Sequence, residues 1–273
     1  MTEQAERYDR ISEGYAQWWA PVIAPAALAA VDGAAAAIEA GATWILDVGT
    51  GTGTLAIELL RRWPTIRVTA IDASSGMIAK ATAEADRLLT PGQRARLELR
   101  VAFADDLGLA EGSFDVAVSS FVLQLVPNRF RAIREVRRVL RPGGLFSWVS
   151  WLAHDAIWPP DIDFDDALED VGEEPREWND RPGDLSDTAA AAAQMRRAGF
   201  ADVTAVSAML VHGFTIDGYV GFMAEFDEED LVQGMEPELR SRFETALRRR
   251  LARRRSEQLA LRQPTVIVRG VRP

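Results

Sequence analysis

The sequence predicts a doubly wound α/β fold, and three observations carry that expectation. Strand-like and helix-like segments alternate from Thr43 to about Trp151. An apolar run enters a glycine-rich turn and leaves it as a helix across residues 44–63. The pairs Pro91-Gly92 and Gly143-Gly144 punctuate the later units. Repeated β-α-β units imply a parallel sheet covered by helices on both faces. Right-handed crossovers then place ligands at the carboxyl ends of the strands.

The elements follow in order. Residues 26–40 read as a helix, with Pro25 near its start and Gly41 beyond its end. Residues 44–48 form the first strand. Residues 54–63 are helical, with Leu55 and Leu59 on one face and Pro64 as the stop. Residues 68–71 are the second strand, and Ser74 or Ser75 caps a helix running to Leu88 that Pro91-Gly92 closes. Leu97, Leu99 and Val101 alternate with polar residues, as in a less buried strand; residues 114–119 are another apolar strand. Phe130, Ile133, Val136 and Leu140 carry helical spacing up to Pro142-Gly143-Gly144, after which residues 145–151 return to strand.

The second half is less regular. Residues 155–187 hold 13 acids and two arginines, a local balance of −11. Residues 189–198 form a helix ending at Gly199, and residues 203–211 are β-like. Residues 218–232 and 236–261 read as helical, the latter carrying Arg248-Arg249-Arg250 and Arg253-Arg254-Arg255; residues 264–271 close as a strand. With no long linker or repeat, residues 1–273 are expected to form one domain. It comprises a helical cover (1–42), a core (43–151) and a substrate-side segment (152–273) with a helical insertion before the last strand.

Composition narrows the chemistry. The 273 residues carry 41 acids and 31 bases, a net charge of −10, which disfavours nucleic acid as partner. No cysteine is present and only two histidines, His154 and His212, so no metal site is expected. Residues 1–15 are charged and lack the apolar core of a signal peptide. The longest run without a polar side chain, residues 18–31, falls short of the ~20 residues that span a bilayer. A cytoplasmic protein with no membrane partner is the expectation.

The first strand leads into Asp47-Val48-Gly49-Thr50-Gly51-Thr52-Gly53. Glycines at alternate positions permit positive φ and let a ligand press against bare backbone at a helix N-terminus. Thr54 occupies the place of the third glycine of a dinucleotide fingerprint. Asp47 ends the strand directly before the turn, where it would repel a pyrophosphate and suit a positive charge. Asp72 closes the next strand 19 residues after Gly53, where a carboxylate can accept from both ribose hydroxyls. A nucleoside with a cationic tail describes S-adenosylmethionine.

Residues Ile45 to Gly53 resemble motif I of class I S-adenosylmethionine-dependent methyltransferases. Ile71-Asp72-Ala73-Ser74 with Met77 is similar to their acidic-loop motif. Gly112-Ser113-Phe114-Asp115 leading into Val118-Ser119-Ser120, and Leu140-Arg141-Pro142-Gly143-Gly144, are similar to the motifs around strands 4 and 5. The order is that of the UbiE-like (type 11) branch, with weaker echoes in Tyr8-Asp9-Arg10, Tyr15 and Ala198-Gly199-Phe200. The resemblance implies a mostly parallel seven-stranded sheet of Rossmann-like form. It also implies cofactor contacts from Gly49, Gly51 and Gly53, with Asp47 on the ammonium group and Asp72 on the ribose. Ala73 and Met77 would lie against the adenine, with Ala104 offering its backbone N–H; Ser119 and Phe121 would edge the donor near its methyl. Tyr15 would lie in a segment covering the cofactor. Many relatives carry Gly-Asp-Ala after strand 3, whereas this chain has Ala102-Phe103-Ala104, so Asp105 or Asp106 is the substitute acid. Some 50 residues between Val211 and Pro264 replace a usually short connection, and read as a lid over the acceptor pocket or a homodimer contact.

The implied activity is in-line methyl transfer to oxygen, carbon or nitrogen of a small apolar or aromatic molecule. Its rivals are a fold relative that catalyses another reaction, such as cyclisation, or a non-catalytic cofactor-binding subunit. His154, three residues after the strand at 145–151, is the candidate base, against a packed or solvated role beside Trp151 and Trp158; His212 is a weaker candidate. Trp148, Trp151, Trp158, Phe164 and Trp178 could line an apolar pocket, with Trp151 and Trp158 favoured because core packing explains Trp148. The acidic run could attract a cationic acceptor, although a solvated loop is its commoner meaning. The arginine clusters are expected to pair with it, within the chain or across subunits.

Overall fold

A computed structural model describes residues 3–176 and 183–273. Its seven strands are β1 (Trp44–Val48), β2 (Arg67–Asp72), β3 (Leu97–Val101), β4 (Phe114–Ser120), β5 (Leu140–Trp151), β6 (Ala201–Gly213) and β7 (Ala260–Val271). They form one sheet in the order β3-β2-β1-β4-β5-β7-β6. All pair parallel except β7, which runs antiparallel to both β5 and β6. The chain builds outward from β1 to β3, then restarts at β4 on the other side of β1. That reversal makes the carboxyl ends of β1 and β4 the crevice of the sheet.

Central strands bury both faces, so β1 and β4 read as continuous apolar runs, whereas edge strand β3 alternates. One face carries Ile45, Val116, Val118 and Val149 under the N-terminal helices; the other carries Leu46, Val48, Ala117, Phe146 and Trp148. Trp148 and Phe164 are fully buried core residues, and Trp178 lies outside the described residues.

The helices of the core are α1 (Glu3–Arg10), α2 (Ser12–Gly14), α3 (Ala20–Ala27), α4 (Ala29–Glu39), α5 (Thr54–Arg62), α6 (Ser75–Leu88), α7 (Pro91–Arg94) and α8 (Arg129–Val139). After β5 come α9 (Pro159–Val171) and α10 (Thr188–Arg197); the insertion between β6 and β7 holds α11 (Ile216–Phe222), α12 (Glu229–Gly234) and α13 (Pro237–Leu251). Ser74 caps α6, its hydroxyl accepting from the Met77 amide at 3.0 Å. Several boundaries differ from expectation. The helix expected over 26–40 is two pieces, α3 with Pro25 inside it and α4, bent by 46° at the break. No single helix among the described residues is long and apolar enough to cross a membrane. Pro91-Gly92 opens a helical turn, α7, because Thr90 and Gln93 form a capping box. The 218–232 helix is interrupted by a π-helical turn, Met223–Asp227, and the 236–261 helix stops at Leu251 so that β7 can begin at Ala260.

Part of the acidic run is not a solvated loop. It forms α9, whose Phe164, Ala167 and Leu168 are buried at helical spacing. The arginines of α13 and the turn after it neutralise its acids. Arg254 clasps Asp163 through two bonds of 2.8 and 2.9 Å, and Arg250 reaches Asp166 at 2.7 Å and Asp170 at 2.9 Å. Arg176 lies over the Phe164 ring at 4.5 Å and bonds Asp165 at 2.7 Å. The expected arginine–acid pairing is thus met inside one chain.

Asp163 is 4 % exposed, so Arg254→Ala strands a buried carboxylate. We expect a loss of roughly 2–4 kcal/mol in urea unfolding. Arg249→Ala, at an exposed pair, should cost no more than about 1 kcal/mol. Equal losses from both variants would contradict the pairing hierarchy.

Candidate active site

The crevice is occupied by the glycine turn between β1 and α5. Gly49, Gly51 and Gly53 all have left-handed φ, of 70°, 54° and 89°. An added Cβ at Gly49 would fall 2.2 Å from the Val122 side chain, so this residue must lack one for the loop after β4 to close on the turn. The Thr50 amide donates to the Ile71 carbonyl at 2.8 Å, tying the turn to β2.

Two carboxylates flank this backbone. Asp47 is fully buried at the end of β1; its Oδ2 accepts from the Thr50 hydroxyl at 2.7 Å, and its Oδ1 has no hydrogen-bond partner. Burial pushes its carboxyl up to about 7, and neighbouring Asp72 pushes in the same direction; the Thr50 hydroxyl and Ala56 amide favour the charged form without offsetting burial. Asp72 accepts from the Gly51 amide at 2.8 Å and the Ser74 amide at 3.0 Å, and burial raises its carboxyl above the ordinary range. A buried carboxylate oxygen without a donor is costly unless a ligand supplies the missing positive charge.

The other cofactor candidates sit in different local settings. Ala73 is half-buried at the start of the acidic loop, and Met77 is buried in the first turn of α6. Ala104 and Asp105 form the tip of a tight turn closed by the Phe103–Asp106 bridge; Asp105 is half-buried and Asp106 exposed. Ser119 is buried, its hydroxyl donating to the Val48 carbonyl at 2.8 Å, so it ties β4 to β1. Phe121 holds φ at 54°, a costly conformation for a bulky side chain, and stacks on Trp151 with centroids 3.9 Å apart.

Tyr15 sits over the turn, its hydroxyl 3.5 Å from the position a Gly51 Cβ would take. Burial raises its phenol far above the usual value and that of Tyr8, packed against it, to about 12. The cover is pinned by Asp9, a residue sequence reasoning noticed only as a faint echo. Its Oδ1 accepts from the Ser74 hydroxyl at 2.5 Å and the Gly76 amide at 2.8 Å, at the N-terminus of α6.

The insertion closes on this cover. Trp18 Nε1 donates to Glu225 at 2.8 Å, Arg7 to the Phe226 carbonyl at 2.9 Å, and Arg10 to Asp230 at 3.0 Å. Gly14 packs so tightly that a Cβ there would lie 1.8 Å from the Glu225 carbonyl oxygen. Rings form a continuous wall: Trp151 neighbours Trp19 at 6.2 Å, Trp19 stacks on Phe226 at 5.7 Å, and Phe222 links Trp19 to Phe214. Trp158 completes it against Phe214 at 5.2 Å and Tyr219 at 5.1 Å. Trp19, Phe222 and Phe226 escaped sequence reasoning because no motif marks them.

His154 is exposed beyond β5. Its Nδ1 accepts from the Ala156 amide at 3.2 Å and its Nε2 lies 2.9 Å from Gln263 Oε1, so neither ring nitrogen is open to a substrate proton in this arrangement. His212 packs edge-on against Phe214 at 4.7 Å, and burial lowers its imidazole.

Comparison with known proteins follows this geometry. Residues 45–144 match the family model described as a methyltransferase domain. A malonyl-acyl-carrier-protein O-methyltransferase of Geobacter sulfurreducens is 40 % identical over 104 residues, which cover 38 % of this chain and 37 % of that protein. A ubiquinone/menaquinone biosynthesis C-methyltransferase of Geotalea daltonii is 35 % identical over 101 residues, covering 37 % and 42 %. The chain therefore matches about two fifths of the length of these relatives. Among solved structures, the 4+2 cyclase SpnF aligns with TM-score 0.52 and 20 % identity over 85 % of this chain and 76 % of that one. A Haemonchus contortus phosphoethanolamine N-methyltransferase, bound to phosphomonomethylethanolamine and S-adenosylhomocysteine, aligns with TM-score 0.50 and 17 % identity over 85 % and 49 %. These structural likenesses are likenesses of fold.

The Asp47 carboxyl titrates higher folded than unfolded, so the folded state holds the extra proton. Its contribution is fullest at low pH and is lost as pH rises from about 4 to about 7. Asp47→Asn should therefore melt about 5 °C or more above the wild type at pH 8, with a smaller gain at pH 5, in ligand-free thermal scans. A gain independent of pH would sink the assignment.

Proposed function

We propose that this chain, whose residues 45–144 match a methyltransferase domain, is a class I S-adenosylmethionine-dependent methyltransferase of UbiE-like type that methylates a small, apolar or aromatic molecule. The observation that carries this reading is the buried, unpartnered Oδ1 of Asp47 beside a bare-backbone turn. Such an oxygen fits the ammonium group of the cofactor's amino-acid tail, and a pyrophosphate would be repelled there.

The remaining residues fit the same ligand. Gly49, Gly51 and Gly53 leave room for the methionine and ribose portions. Asp72 already accepts two backbone amides, and each carboxylate oxygen keeps a lone pair for a ribose hydroxyl. Ala73 and Met77 border the adenine, the Ala104 amide faces its ring, and Asp105 takes the role of the acid that Phe103 replaces. Ser119, tied to Val48, and Phe121, held in its strained conformation, fix the edge of the site near the transferring methyl. Tyr15 closes over Gly51.

A cofactor held by Asp47, Asp72 and the glycine turn would supply an electrophilic methyl on a sulfonium, for in-line transfer to the acceptor with the electron pair of the broken carbon–sulfur bond left on sulfur. The chain's part is to align the reactants and exclude water. Well-held orientation alone can contribute roughly 7–11 kcal/mol. The ring wall from Phe121 to Trp158 supplies the flat apolar surface for the acceptor. The insertion 213–262 acts as a lid, supported by its bonds to Arg7, Arg10 and Trp18 of the same chain. With both ring nitrogens of His154 engaged, an acceptor that attacks as a phenolate or needs no proton removal suits the site best.

Asp72→Ala should weaken S-adenosylhomocysteine binding by more than about tenfold in calorimetry, the worth of one or two charge-assisted bonds, with an unchanged fold. An unaltered dissociation constant would remove the ribose assignment. Incubation with labelled cofactor and a panel of phenols, quinones and amines should release S-adenosylhomocysteine. Tight binding without turnover on any of them would favour a non-methylating role.

A further inference from the structure

Gln263 is an anomaly of β7. The residues on its face of the strand are Leu261, Thr265, Ile267 and Arg269; Leu261 and Ile267 pack with the core under the N-terminal helices, and Gln263 is only 5 % exposed. Its Nε2 is buried with no hydrogen-bond partner. Which end of the amide points inward is fixed by His154. The Ala156 N–H can only donate, so the His154 Nδ1 it meets must be the unprotonated nitrogen. The ring proton is then on Nε2, which donates to Gln263 Oε1 at 2.9 Å. The carboxamide oxygen is thereby engaged, and the Nε2 end is the one left buried and unsatisfied.

That interior is the acceptor side. Thr265 pairs with Trp151 across β5 and β7, and side chains two residues apart share a face. Gln263 therefore lies on the Trp151 face, just beyond the carboxyl end of β5. The indole N–H of Trp158, in the same ring wall, is also buried without a partner. Both unsatisfied groups here are donors. The acids that could have welcomed a cation, Asp163, Asp165, Asp166 and Asp170, are held by arginines.

We infer that the Gln263 carboxamide is the polar anchor of the acceptor site, with His154 as its positioning residue, and that the acceptor is a planar apolar molecule bearing a carbonyl or ether oxygen, not an ammonium compound. This rests on the methyltransferase reading, since that reading makes the Trp151 face the acceptor side. The anchor binds an oxygen distinct from the attacking atom. An N–H bond to the nucleophile itself would withdraw the lone pair that transfer needs. A buried polar group left unpaired in the free protein is a stability cost kept for binding.

Three probes on one skeleton test this: 1-tetralone, tetralin and 1-aminotetralin, titrated by tryptophan fluorescence against protein saturated with S-adenosylhomocysteine. The wild type should bind the ketone at least about tenfold tighter than the hydrocarbon or the amine, the scale of one desolvated hydrogen bond. Gln263→Leu, or Gln263→Met if the first folds poorly, should bring the ketone to the level of tetralin and raise the melting temperature of the free protein. His154→Ala should lower the ketone affinity while leaving tetralin unchanged. Equal affinities, no detectable binding, a preference for the amine, or a ketone preference that survives both Gln263 variants would overturn the inference. Calorimetry of S-adenosylhomocysteine on the same samples reports separately on the methyltransferase reading.

Discussion

The structure is organised around one electrostatic debt, the Asp47 carboxylate at the end of the central strand. Its position follows from topology, because β1 lies between β2 and β4 and its last residue must surface in the crevice where the strand order reverses. One oxygen is satisfied by Thr50 and the other is buried without a hydrogen-bond partner. A site of that kind is unfavourable empty and favourable when a cation arrives. The surrounding features keep it so: Gly49 admits Val122, Ser119 locks β4 to β1, and Tyr15 sits over Gly51.

Keeping water out requires a cover, and the cover is built from two distant parts of the chain. The N-terminal helices dock through Asp9 on α6, while the insertion docks on them through Glu225, Glu229 and Asp230. Behind the insertion, α13 is clamped to α9 by arginine–aspartate pairs. The large negative charge of residues 155–187 is thus partly structural. Among the described residues, Asp163, Asp165, Asp166 and Asp170 are taken up by arginines and help to hold the insertion that carries much of the aromatic wall.

The parallel core was legible because buried central strands and capped helices leave local signatures. Ser74 before α6, the stop at Trp63-Pro64 and the glycines of the turn each act within a few residues. What escaped depends on contacts across the chain. The π-helical turn at Met223–Asp227 packs against Gly14, Trp18 and Trp19, residues over 200 positions away. Helix α9 did leave a signal, with Pro159-Pro160 at its start, Phe164, Ala167 and Leu168 at helical spacing, and Gly172 beyond its end, but its acids masked it. His154 lies just beyond β5, as its sequence position predicts, yet the partners of its two nitrogens could not be read from sequence. Gln263 left no such signal, because Thr265 and Arg269 share its face of β7 and the strand pattern begins only at Pro264.

The account stands on Asp47 meeting a cationic amino group. Calorimetry comparing S-adenosylhomocysteine with 5′-methylthioadenosine, which keeps the nucleoside and lacks the amino-acid tail, isolates that contact. The account predicts a preference of about a hundredfold or more for the amino-acid-bearing ligand, in line with a charge pair formed out of water. Equal affinity for the two, or tighter binding of NADH than of either, would contradict it.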